Sequence, residues 1–329
     1  MRFYIGALAL TFVFSSVSTA QKVKKGVTQG TKAYRGGGGK FGQQQVGDFW
    51  IQHGDELKGA GRVGISVFNV AFPDDDTQTA HMYQNIGGGW SREAKVTMQT
   101  VLEGVDPATR QRIADVAYSN FVAELKKSGY EVLEADELAR LTPEYTSWTS
   151  LPNFSKGRFG TYVAPTGRAV HFLQGDKSRR DTSGLKGQAS QTFRGLDRPQ
   201  AFARSPYLAH DGNVGIIAVT LVIDYGVYST TGTSISRKGS SVGFEAGVSA
   251  QSGTLGDTAT ILEYWSPRSG GFPAMAALAV PVISQEKFAE VVDGANVVVK
   301  ADAIRFEKAA LDVADKTTRK LVEAVAAQR

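Results

Sequence analysis

Apolar and polar positions divide the chain into a few strongly patterned runs. The longest after the first twenty residues is 213–229, NVGIIAVTLVIDYGVYS. Its first half is apolar at successive positions, the pattern of a strand covered on both faces. Residues 241–250 alternate instead: Val242, Phe244, Ala246, Val248 and Ala250 interleave with Gly243, Glu245, Gly247 and Ser249, which predicts one buried and one wet face. A third strand is expected at 258–266. The three form the predicted core of a sheet, the first two joined by a long hairpin loop at 230–240. Upstream, RVGISVFNVAF at 62–72 predicts the first core strand, with Val63, Ile65 and Val67 on one face and Pro73 ending it.

The helical period is clearest after Asp106. That residue is a good N-cap, and Pro107 is tolerated at the first helical position. Ile113, Val116, Ala117, Phe121 and Leu125 make an apolar stripe. Lys126 and Lys127 suit the C-terminal dipole, and Gly129 stops the helix. A short strand at 130–133 and a helical turn at 135–141 follow. This strand–helix–strand order predicts a crossover connection with parallel neighbours. The chain closes with a helix over 303–327, capped by Asp302 and striped by Phe306, Ala310, Val313, Leu321 and Val325. Weaker signals predict a helix from Ser91 to about Glu103 after the Gly87-Gly88-Gly89-Trp90 cluster, a short helix at 285–292 and a short strand at 296–300. The run 274–283 is interrupted by Pro281 and predicts no definite state.

Together these elements predict an α/β (or α+β) domain over 49–329: a mixed sheet, helices on one or both faces, a long irregular insertion at 142–211 and a long C-terminal helix. Residues 1–20 read as a signal peptide. Arg2 is a minimal positive region, residues 4–14 an apolar segment too short to span a bilayer, and Ser18-Thr19-Ala20 a small-residue cleavage site. Export to the periplasm or medium is expected, with cleavage after Ala20 and no membrane span later in the chain. Residues 21–48 form a basic, glycine-rich leader, expected to be flexible because four successive glycines, Gly36 to Gly39, cannot offset their ordering entropy.

With 0 cysteines, disulfides, thiolate metal sites, thiol nucleophiles and cysteine lipidation are excluded. A net charge of +5 over 329 residues is too mild and too dispersed for a nucleic-acid binder. No two of His53, His81, His171 and His210 have zinc-ligand spacing, and no serine-nucleophile or phosphate-loop motif occurs. Asp74-Asp75-Asp76 read as a solvated acidic turn rather than a cation site, since the alternating oxygen ligands of a calcium loop are missing. Glu131, Glu134, Asp136 and Glu137 are candidates for a hydrolytic carboxylate pair, with solvent exposure the simpler account. No catalytic, cofactor-binding or metal-ligating residue is therefore assigned, and no cofactor is expected.

The insertion is the most suggestive region, because a connection this long is usually functional or unstructured. Arg179, Arg180, Lys186, Arg194, Arg198 and Arg204, with Trp148 and Phe159, mix cations and aromatics as a surface for a protein partner or an anionic glycan would. The alternative is an irregular cover over one sheet edge.

The runs RVGISVFNVAF, FVAELKKSGYEVLEADEL and NVGIIAVTLVIDY, taken in order, resemble the α/β domain shared by the N-terminal part of TolB, the curli secretion channel and the outer-membrane activators of penicillin-binding proteins. The resemblance covers about half the chain and lies in element order. It implies a non-enzymatic module that binds an envelope protein. An envelope polysaccharide such as lipopolysaccharide is the alternative ligand, and a secreted hydrolase the second alternative.

Overall fold

A computed structural model describes residues 44–87, 90–148, 150–173, 200–231, 241–252, 260–268, 273–292 and 297–329. Side chains of 44–46, 76–97, 200–203, 227–231 and 241–243 lie outside that description. The described residues all belong to one compact unit, 41–329. The predicted signal peptide, most of the leader and residues 174–199 fall outside them.

The chain opens with β1 (Gln44–Val46), β2 (Phe49–Gln52) and β3 (Arg62–Phe72), then the paired strands β4 (Asp75–Gly87) and β5 (Trp90–Glu103). Helix α1 (Pro107–Lys127), β6 (Glu131–Leu133) and α2 (Ala135–Leu141) follow. Next come β7 (Ser155–Gly157), β8 (Gly160–Val163), α3 (Gln200–Gly212), β9 (Gly215–Thr231) and β10 (Ser241–Ala250). The last part holds β11 (Ile261–Trp265), β12 (Ala274–Leu278), β13 (Val282–Ile283), β14 (Ala289–Val292), β15 (Val297–Ala301) and α4 (Ala303–Ala326). An 11-stranded mixed sheet runs β1-β2-β12-β11-β9-β3-β8-β7, with β6 beside β3 and β10 and β13 extending from β9; a second sheet of 4 strands runs β14-β15-β5-β4.

The predicted α/β class is thus the observed one, and its centre is β9. Its first part lies between β3, parallel, and β11, antiparallel. Successive side chains go to opposite faces, so Ile217, Val219, Leu221 and Ile223 join the core under α1 and α4, while Ile216 and Ala218 join the one under α2 and α3. The parallel neighbour implied by the strand–helix–strand unit is present: Val63 pairs with Val132, and β3 runs parallel to β6. Both long helices start as their sequences predict. The Asp106 carboxylate accepts from the Thr109 amide at 2.7 Å, and that of Asp302 from Ile304 and Arg305 at 3.0 and 3.1 Å. Gly129 closes α1 at φ 82°, a backbone state that costs glycine little.

Four expectations are corrected. Residues 91–103 are strand, not helix: Ala94, Val96, Met98 and Leu102 recur with period two, and pairing with β4 fixes that period. Residues 285–292 end in β14, which is held by β15 from Ala289↔Ala301 to Val292↔Val298. Val67 does not share a face with Val63 and Ile65, because the ladder to β9 shifts register between Ile65 and Val67 and a bulge turns later side chains over. Val116 stands 39% exposed at the edge of the α1 stripe. Within the described part of the insertion, β8 extends the sheet from Val70↔Val163 to Phe72↔Thr161, and α3 packs on β9 despite Pro206 inside it.

Candidate functional site

Two hairpins leave the body from neighbouring roots. β4 and β5 pair from Asp75↔Val101 to Gly87↔Trp90, with one register shift near the tip. At about 3.3 Å per residue this ladder is about 40 Å long. The second hairpin pairs β9 with β10 from Ile223↔Ala250 to Thr231↔Ser241, about 25 Å by the same measure. The prediction of a hairpin from 213–229 and 241–250 holds, and its loop, 232–240, lies outside the described residues.

Neighbouring strands cover these ladders only at their bases. β5 is held by β15 through Thr100–Glu103. β10 meets β13 only at Ser249 and Ala250, and β9 parts from β3 after Val222 and from β11 after Thr220. Beyond those points, among the described residues, each hairpin is a two-stranded ribbon with both edges unpaired. Register along the first sets Ala80 opposite Val96, Met82 opposite Ala94 and Gln78 opposite Met98, and the alternate pairs are Thr79 with Thr97, His81 with Lys95 and Tyr83 with Glu93.

The roots are pinned by buried polar groups. Tyr225 of β9 and Thr100 of β5 join the two sheets: their hydroxyls are 3.0 Å apart, and the tyrosine donates to the Thr100 carbonyl at 3.1 Å. Asp224, 2% exposed, sits where β10 gains one residue against β9. Its Oδ1 accepts from the amides of Tyr225 and Gly226 at 2.7 and 3.3 Å, and its Oδ2 from Gln251 at 3.0 Å. A bulge leaves ladder donors without strand partners, and this carboxylate takes them. Asp74 is not the solvated acidic turn expected of residues 74–76. It is half-buried, and accepts from Arg110 at 2.5 Å, from Thr161 at 2.6 Å and from Lys156. Burial raises its pKa, but hydrogen bonds from Lys156 and Thr161 and the charge of Arg110 outweigh that, and the carboxyl is held below its ordinary value.

The predicted contact residues do not come together as one described surface. Arg179, Arg180, Lys186, Arg194 and Arg198 lie outside the described residues. Arg204 pairs with Glu144 on the surface. Trp148 is 5% exposed, packed edge-on against Tyr145 and His171 at 5.1 and 5.6 Å; it is core, with no face free for a ligand to stack on. Phe159 is half-buried beside the Arg158 guanidinium, 4.8 Å from its ring centre.

Three of the four candidate carboxylates have structural duties. Glu131 binds Arg62 at 3.0 Å, while Glu134 and Glu137 cap α2 reciprocally. Among the described residues no group of acids and histidines has metal-binding geometry, and no helix is long and apolar enough to cross a membrane. No family model, curated protein or solved structure matches the chain.

Proposed function

We propose that this chain is an exported, non-enzymatic interaction module of the bacterial cell envelope, and that its two long hairpins are the parts that meet the partner. The observation that carries this reading is the pair of unpaired ribbons described above. A two-stranded ribbon is marginal in water by itself, and unpaired edges recruit further strands. A chain whose β4 and β5 are 13 and 14 residues long, with β5 covered by β15 only from Thr100 to Glu103, supplies a template for strand addition. The polar pins at the roots support the same reading, since they fix where the ribbons leave the body.

One observation favours a second reading, in which the ribbons work inside a bilayer. Strands of this length with period-two alternation match the pattern of membrane-crossing β-strands, whose apolar positions face lipid. One experiment reads both. A photo-crosslinking side chain is placed at Gln84, at Arg92 or, as a control, at exposed Asp312 on α4, in the chain in its native envelope. Crosslinks to a single envelope protein from Gln84 and Arg92, with none from Asp312, are the expected result. Lipid adducts from further probes placed at Met82 and Val96, with no protein captured from Gln84 or Arg92, would select the second reading. Capture from Asp312 alone would overturn both.

A further inference from the structure

Asp74 marks the step between the two sheets. β3 ends at Phe72 in the larger sheet, Pro73 is buried, and β4 starts at Asp75 in the smaller one. Over that step one carboxylate gathers donors from three other elements: Arg110 of α1 on Oδ1, and Thr161 of β8 and Lys156 of β7 on Oδ2. Its own carbonyl accepts the Leu102 amide of β5 at 2.9 Å. The step is also sterically tight. Gly160 lies so near it that an added Cβ would be 2.2 Å from the Phe72 carbonyl oxygen.

Arg110 makes the arrangement depend on charge. Its side chain is 11% exposed, and among the described residues its Nε has no partner and the carboxylate of Asp74 is the anion it contacts. Its guanidinium also lies 5.8 Å from the centre of the Phe72 ring, which holds it at the junction. Without the carboxylate, a mostly buried cation would stand uncompensated, a state that a protein relieves by opening locally to water. The larger sheet does not depend on the same contact, because β9, β3 and β11 are bound to one another by their own ladders.

We propose that Asp74 is the latch that fixes the first hairpin to the body, and that loss of its charge frees β4 and β5 as a unit while the larger sheet stays folded. The latch rests on the reading of the hairpins as working parts, but its test needs no partner. Amide exchange of the full mature chain at neutral pH, read by mass spectrometry, compares wild type with Asp74→Asn. Peptides from 75–103 should exchange about tenfold faster or more, as expected for the loss of charged hydrogen bonds. Peptides from 215–223 should stay within about twofold of wild type. Adding Arg110→Met should restore part of the protection, because the stranded cation is then gone. Lys156→Met removes the exposed donor alone and gives a smaller change in the same direction, so the test survives if Asp74→Asn fails to fold. Unchanged exchange in 75–103, or an equal rise in both segments, would overturn the latch. A working latch on a hairpin that crosslinks nothing would instead overturn the functional reading alone.

Discussion

The two halves of β9 form one extended strand and have different strand neighbours. From Ile216 to Thr220 the strand lies between β3 and β11; from Asp224 onward its ladder continues with β10 alone, although Asp224, Tyr225 and Gly226 are still buried. Ile and Val dominate the first half, and the second holds Tyr, Val and Thr. Both sets favour an extended backbone, and the halves differ in what lies across the hydrogen-bonding edges. A β-branched run specifies an extended backbone, while its context decides whether that backbone becomes core or outreach.

The sharpest way to break the comparison is to damage the first half. Ile217→Ala, at a site 0% exposed, should cost about 2–5 kcal/mol of unfolding free energy in a denaturant titration. A loss under about 1 kcal/mol would mean that the first half is no better packed than a surface strand.

A smaller effect is expected from acid, and only at the junction. The folded-state pKa of Asp74 is depressed, so its contribution is complete above its unfolded value, near 3.8, and is lost as pH falls through the lower folded value. Protection of 75–103 should be flat from pH 7 to pH 5 and should fall at lower pH before that of 215–223 does. Simultaneous loss in both segments would erase the distinction between hairpin and body.

The smallest effect should come from the surface of the body. Arg62→Gln removes an ion pair with Glu131 whose side chains are 43% and 68% exposed. Unfolding should shift by less than about 0.5 kcal/mol, which a denaturation series run beside Ile217→Ala would check.

Legibility in the sequence follows the range of the interactions involved. Helices α1 and α4 could be read almost to the residue, because Asp106, Pro107, Gly129 and Asp302 act within one turn of their own backbone. β3 and β10 were legible for the same reason, since Pro73 and the strict alternation after Ser241 are local. Strand β5 misled because Arg92, Glu93, Ala94 and Lys95 are good helix formers, while the partner that overrules them, β4, carries only a weak apolar pattern. Helix α3 hid behind Pro206. The root of the first hairpin was illegible: nothing near Asp74 in sequence announces Arg110 or Thr161, which are 36 and 87 residues away. The core position of Trp148 was equally hidden, because Tyr145 and His171 claim its ring and the latter is 23 positions downstream.

β9 is one uninterrupted strand of 17 residues, from the centre of the larger sheet out into the second hairpin. That continuity gives the molecule a mechanical axis. A pull on the outer end of β9, directed along the strand, loads the rows of hydrogen bonds to β3 and β11 in shear, so that many must fail together. A pull that separates β9 from β10 at the tip opens their ladder one bond at a time. The body should therefore hold firmly against tension along this strand while the hairpin yields to peeling, and whatever grips the ribbon from the side meets the weaker of the two resistances.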